Sequence, residues 1–70
     1  MSIDLLEIGN LIKKERIKQG LSVEQLAESI GVSGRSISYW EKGQKIPTLL
    51  YADKVLKALK IEITIGKSST

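Results

Sequence analysis

The stretch L-S-V-E-Q-L-A-E-S-I-G-V-S-G-R-S-I-S-Y-W-E-K-G, Leu21–Gly43, decides how this chain folds. Ser22 followed three residues later by Gln25 has the form of a capping box, which opens a helix by satisfying two orphan N–H groups reciprocally. Val23, Leu26, Ala27 and Ile30 then recur at helical spacing and make one apolar face. The spacing predicts a helix over 22–30, ended by Gly31. Val32 is an apolar residue in the turn, expected as a buried plug. Ser33 can cap a second helix, in which Ile37 and Trp40 are spaced to face inward. Gly43 ends it, giving a helix over about 34–42.

Two short helices joined by a tight turn containing Gly31 constitute a helix-turn-helix unit. Ala27 is small where the two helices approach, and Val32 seals the corner. The second helix keeps one face free, and a helix is the width that a DNA major groove admits.

The flanks supply the rest of a core. Asp4 with Glu7 reads as another capping box, and Leu5, Ile8, Leu11 and Ile12 follow at helical spacing. This predicts a helix over about 5–19, stopped by Gly20, with Leu21 packing back on the last turn. Lys13, Lys14 and Lys18 take its other faces. Gln44–Pro47 is a loop, since Pro47 forbids helix continuation. Thr48 can cap a fourth helix over about 49–59, with Leu49, Ala52, Val55, Leu56 and Leu59 on one face. The period then changes: Ile61, Glu62, Ile63, Thr64 and Ile65 alternate strictly, which predicts a strand over about 61–65. Gly66 ends it and Lys67–Thr70 is a polar tail. The expected architecture is a single all-α domain over residues 1–70, four helices with a helix-turn-helix, plus one short C-terminal β-strand.

Composition narrows the function. A chain of 70 residues, 41% hydrophobic, sits near the lower limit for a self-standing core, so dimerisation is a natural supplement. The absence of Cys and His excludes zinc held by thiolate or imidazole, disulfides and thiol nucleophiles. With no paired-carboxylate motif and no Gly-rich phosphate loop either, an enzyme is not expected, nor a cofactor or a metal. No apolar run reaches the ~18–20 residues of a membrane span. The first residues carry acids where a signal peptide carries bases. A cytoplasmic protein associated with the nucleoid, without membrane contact, is the expectation. A net charge of +3 and a pI near 9.3 are mild, so the placement of the charges matters more than their sum.

The segment Leu21–Gly43, with Arg16 before it and Pro47-Thr48-Leu49 after it, resembles the lambda-repressor-like family of helix-turn-helix regulators, of the xenobiotic-response-element type. The resemblance covers about residues 8–59. It implies sequence-specific binding of double-stranded DNA, with Ser33, Gly34, Arg35, Ser38 and Tyr39 where the family's recognition helix meets base edges. Residues 34, 35, 38 and 39 also share one helical face, opposite Ile37 and Trp40. Arg35 can bind guanine O6 and N7 bidentately; Tyr39 can touch a thymine methyl or donate to a phosphate. Outside this context Arg35 reads as a solvated arginine and Tyr39 as a core-edge aromatic, while Trp40 reads as core in any context. Phosphate contacts are implied for Lys13, Lys42, Gln44 and Lys45, and for Ser22, Val23 and Glu24 at the N-terminus of the second helix, where N–H groups and the dipole favour anions. Val23 and Gly34 depart from the family pattern, which often has Gln or another long polar residue there, so base reading is expected to be thin. Glu15 and Glu24 interrupt the basic face. Arg16 and Glu41 match a pair that forms a buried salt bridge in the family.

The C-terminal strand departs from the commonest pattern, and no other segment of the chain reads as β. Its open edge needs covering. The expected cover is the same strand of a second copy, antiparallel across a two-fold axis, with Ile61, Ile63 and Ile65 as dimerisation residues. The rival is an extended segment bound to its own monomer. The dimeric strand resembles the high-persistence type of antitoxin. The leading expectation is a homodimer that binds an operator and represses by occlusion. The alternative is an antitoxin or adaptor whose main partner is a toxin protein.

Overall fold

Ile8, Ile12, Leu26, Ala27, Ile30, Ile37, Trp40, Ala52, Val55, Leu56 and Leu59 meet in one buried cluster, and the elements that carry them explain the architecture. The computed structural model describes residues 2–4, 7–61 and 64–65. In order these form β1 (Ser2–Ile3), α1 (Ile8–Lys18), α2 (Val23–Ile30), α3 (Gly34–Glu41), α4 (Leu49–Ala58) and β2 (Thr64–Ile65). The core is aliphatic except for Trp40, whose ring packs toward Tyr51 with centroids 6.2 Å apart and planes at 35°. This tilted arrangement is a favourable one for aromatic pairs.

Each helix starts where local chemistry allows. At α2 both capping-box bonds form: the Gln25 N–H donates to Ser22 Oγ at 3.0 Å, and the Ser22 N–H donates to Gln25 Oε1 at 2.7 Å. Ser33 caps α3 through the Ser36 N–H, and Thr48 caps α4 through the Tyr51 N–H, both at 3.3 Å. The capping box expected at Asp4 does not form. Glu7 is the N-cap of α1 without a side-chain bond, and its N–H goes to the Asp4 backbone carbonyl at 2.9 Å. That turn holds Asp4 outside the helix, so α1 begins at Ile8 rather than Leu5; Leu5 itself lies outside the described residues.

The four helices end alike. An N–H two or three residues past the end of each helix reaches back to a carbonyl five residues earlier: Leu21 to Arg16, Val32 to Ala27, Gln44 to Tyr39 and Ile61 to Leu56. This closure needs one residue in the left-handed region. In the α2–α3 turn it is Gly31, at φ 76°, where a side chain would cost about 1–2 kcal/mol. After α4 it is Lys60, at φ 59°, a position no glycine fills.

Two expectations about side chains are corrected here. Leu49 does not face the core; it is 62% exposed, and Leu50 and Ile46 beside it are exposed too. Leu49 is the first residue of α4, where no preceding helical turn lies beneath its side chain. Ile61 is not part of a strand: its N–H completes the closure of α4, and its side chain packs half-buried on the core of its own chain.

The expected solitary strand also has a neighbour. β1 pairs with β2 in parallel, Ser2 opposite Thr64 and Ile3 opposite Ile65. Ser2–Ile3 therefore supplies a β partner within the chain, where the sequence pattern shows no second β segment. Ile63 lies outside the described residues.

Candidate nucleic-acid interface

The site is built around α3. Its inner face is anchored by buried Ile37 and Trp40, while Arg35 on the outside is exposed. Ser38 and Tyr39 are half-buried at the edges of that outer face. Gly34 is close to α2: a methyl group there would lie 3.4 Å from Glu24 Oε2 and 3.5 Å from Val23 Cγ1. Ser33 is exposed, but its hydroxyl oxygen is used in capping, and it lies 3.3 Å from the Ser36 hydroxyl. Of the residues expected to read bases, Arg35 is the long polar side chain that the fold leaves open.

The C-terminal end of α3 is fixed by an ion pair that spans 25 positions of sequence. Arg16 Nε donates to Glu41 Oε2 at 2.7 Å, and Arg16 Nη2 donates to Glu41 Oε1 at 3.0 Å. The third bond, Arg16 Nη1 to the Leu21 carbonyl at 2.8 Å, ties the same guanidinium to the start of the helix-turn-helix. The side chains are 12% and 6% exposed, so water screens the pair poorly. The hydrogen bond to Glu41 raises the Arg16 pKa above its ordinary value against the opposing pull of burial, and the charges of Glu41 and Glu24 add to the rise. The guanidinium thus stays charged at any physiological pH.

A close contact that sequence reading overlooked supports the same end. Gly9, buried in α1, lies directly against the Trp40 carbonyl. Only a residue without a Cβ fits, and a glycine inside a helix gives no periodic signal by which to find it. Gln19 adds a tie at the other end of α1, its Nε2 donating to the Leu59 carbonyl at 2.7 Å.

The phosphate-facing candidates fall into two groups. At the N-terminus of α2, the Ser22 N–H is consumed by Gln25, which leaves the N–H groups of Val23 and Glu24 as donors, with the Ser22 O–H beside them. The Val23 side chain is half-buried on the core, so its contribution is backbone. Beyond α3, Lys42, Gln44 and Lys45 are all exposed. The backbone N–H groups of Gln44 and Lys45 both donate to the Tyr39 carbonyl, at 2.9 and 3.3 Å. The Lys45 ammonium lies over the Tyr39 ring, 4.8 Å from its centroid. Lys13 is exposed on α1.

This geometry, a short pinned helix set across another through a glycine turn, is that of DNA-binding regulators. Residues 12–65 match the helix-turn-helix family, and the chain belongs to that family, of lambda-repressor-like, xenobiotic-response-element type. It is 37% identical over 54 residues to the "Uncharacterized HTH-type transcriptional regulator YgzD" of Bacillus subtilis, spanning 77% of this chain and 82% of that protein. It is 41% identical over 49 residues to an HTH-type transcriptional regulator of Methanothermobacter thermautotrophicus, spanning 70% and 71%. Among solved structures it resembles the clp gene regulator ClgR of C. glutamicum, with a TM-score of 0.76 and 29% identity over 83% of this chain and 77% of that one. It resembles equally the restriction-modification controller protein C.AhdI of Aeromonas hydrophila, with a TM-score of 0.76 and 33% identity over 83% and 84%. The chain is thus a DNA-binding transcription regulator by family. These relatives lend no support to the likeness between its C-terminal strand and that of antitoxins. Among the described residues, no helix is long and apolar enough to cross a membrane.

Proposed function

We propose that the chain binds operator DNA as a homodimer, places one α3 in the major groove of each half-site, and represses transcription by occlusion. The observation that carries this reading is the treatment of α3: both ends are pinned, and Arg35 stands exposed on the outer face between them. Arg35 reads guanine, with Ser38 and Tyr39 at its flanks and the Ser33–Gly34 backbone close to the DNA. The N–H groups of Val23 and Glu24, with Ser22, grip one phosphate; Lys42, Gln44 and Lys45 grip another, and Lys13 lies further out. The protein works on nucleoid DNA in the cytoplasm.

Two copies are needed because one eight-residue helix reads too short a site for specificity. A two-fold axis would space the two recognition helices about one DNA turn, ~34 Å, apart. Within its own chain β2 has β1 on one side, so its other edge is the surface we assign to the second copy.

Selection of bound duplexes from a random library tests the whole reading. A two-fold-symmetric motif is expected, with two chains per duplex by sedimentation; a single asymmetric half-site bound by one chain would refute the dimer. On the selected site Arg35→Ala should cost about 1–3 kcal/mol, and much less on random DNA. Equal losses on both would make Arg35 a phosphate contact.

A further inference from the structure

We infer that Tyr39 acts as a positioning residue for Lys45, holding its ammonium against the recognition helix for delivery to a DNA phosphate. The inference rests on the DNA-binding reading above and assigns Tyr39 a different task from base contact. Lys45 is attached to Tyr39 twice. Its backbone N–H donates to the Tyr39 carbonyl at 3.3 Å, and its ammonium lies 4.8 Å from the Tyr39 ring centroid. Gln44 donates to the same carbonyl at 2.9 Å, so the first two loop residues beyond Gly43 are folded back onto one residue of α3.

The chemistry suits an anion partner. A cation over an aromatic face is attracted to the negative side of the ring quadrupole. An ammonium has three N–H donors, and the ring can occupy only the side that faces it. The other donors of this exposed ammonium are left for phosphate oxygens. Tyr39 is half-buried, which fixes the ring, while Lys45 is exposed. A lysine on a flexible stem loses rotamer freedom when it grips a phosphate. Holding it over the ring before DNA arrives removes part of that loss. Because Lys45 is held by both the backbone and the ring of Tyr39, the phosphate grip at the end of α3 is tied to the register of the helix that carries Arg35.

The test is a binding cycle on random-sequence duplex DNA at fixed salt, with Tyr39→Phe, Tyr39→Leu, Lys45→Gln and the double variants Tyr39→Phe/Lys45→Gln and Tyr39→Leu/Lys45→Gln. Tyr39→Phe keeps the ring, and adding Lys45→Gln to it should cost as much as Lys45→Gln does in wild type. Tyr39→Leu should weaken binding roughly two- to fivefold, the worth of an exposed cation–π contact. Lys45→Gln should then cost less in the Tyr39→Leu background than in wild type. Additive losses, or a Tyr39→Phe defect equal to that of Tyr39→Leu, would overturn the proposal, the latter by moving the role to the hydroxyl. A second measurement needs no variant. In the wild-type protein the ε-methylene protons of Lys45 should carry an upfield ring-current shift that persists in the DNA complex. Its absence in the free protein, or its loss on binding, overturns the proposal. If wild type fails to bind duplex DNA at all, the DNA-binding reading falls, while the shift in the free protein still reports the Tyr39–Lys45 contact.

Discussion

Gly9→Ala tests how tightly α3 is set against its scaffold. A methyl group at this position would fall inside van der Waals contact with the Trp40 carbonyl oxygen, 2.9 Å from the Trp40 carbonyl carbon and 3.3 Å from Glu41 Cα. Non-bonded heavy atoms sit best at about 3.5–4.0 Å and the oxygen is the nearest of the three atoms, so α1 and α3 must part by about an ångström or more. The obstacle is backbone, which cannot swing aside as a side-chain tip can. Overpacking of this kind costs about 1–3 kcal/mol, and the upper part of that range applies. The separation also loosens the core to which Ile8 and Ile12 of α1 and Ile37 of α3 all belong. Against this, Ala gains about 0.8–1.0 kcal/mol over Gly in a helix. The net expectation is a loss of about 2 kcal/mol, hence a melting temperature lower by roughly 8–16 °C in a domain this size. The assay is a circular-dichroism melt beside Asn10→Ala, an exposed neighbour on the same helix that collects the propensity gain without the collision. Gly9→Ala melting at or above wild type would refute the reasoning, since propensity would then have outweighed a contact that had simply given way.

Two further outcomes are expected. Glu41→Ala leaves Arg16 charged and poorly solvated, which costs about 3–5 kcal/mol, a large share of the ~3.5–10 kcal/mol typical of a chain this long; Arg16→Met/Glu41→Leu should recover most of it, and a melt of Glu41→Ala within a degree or two of wild type would show the pair to be unimportant. Lys60→Gly relieves the left-handed backbone at φ 59° and should add about 1 kcal/mol, raising the melting temperature by roughly 4–8 °C; an unchanged or lower value in the same melt would show that the Lys60 side chain repays its strain.

What could be read in the sequence was what is local. The Ser22–Gln25 box and the α2 stripe of Leu26, Ala27 and Ile30 involve residues within two turns of one another, and periodicity reports such sets directly. Ile37 and Trp40 followed for the same reason. The failures have physical causes of their own. Asp4 and Glu7 have the spacing of a capping box, but a backbone bond between them holds a turn instead, and spacing alone does not distinguish the two. Leu49 belongs to the α4 stripe by number yet stands at its open first position. β1 is two residues long, too short to show any period. The Arg16–Glu41 pair lies 25 residues apart and carries no local signal; it came from the family resemblance. The Gly9–Trp40 approach and the Lys45–Tyr39 contact depend on how elements meet in space, which no single-element pattern encodes.

These contacts converge on one design. An eight-residue helix is too short to be stable alone in water, and α3 buries only Ile37 and Trp40. Its other supports are at its ends: Ser33 at the start, then Glu41 on Arg16, Gly9 against the Trp40 carbonyl and the loop bonds to the Tyr39 carbonyl at the finish. Supporting a helix at its ends leaves the middle of its outer face bare, which is the arrangement a groove-reading helix requires. It also fixes where that face lies relative to the residues proposed to grip phosphate, because Lys42, Gln44 and Lys45 emerge from the same pinned end. The cost falls on the amount of sequence read. With Gly34 offering no side chain and Ser33 committed to its cap, each copy has Arg35 and little else of length to offer the bases. On the proposed reading, discrimination therefore rests on the fixed relation between grip and readout, and on repeating that relation in the second copy we propose, rather than on a dense set of base contacts within one.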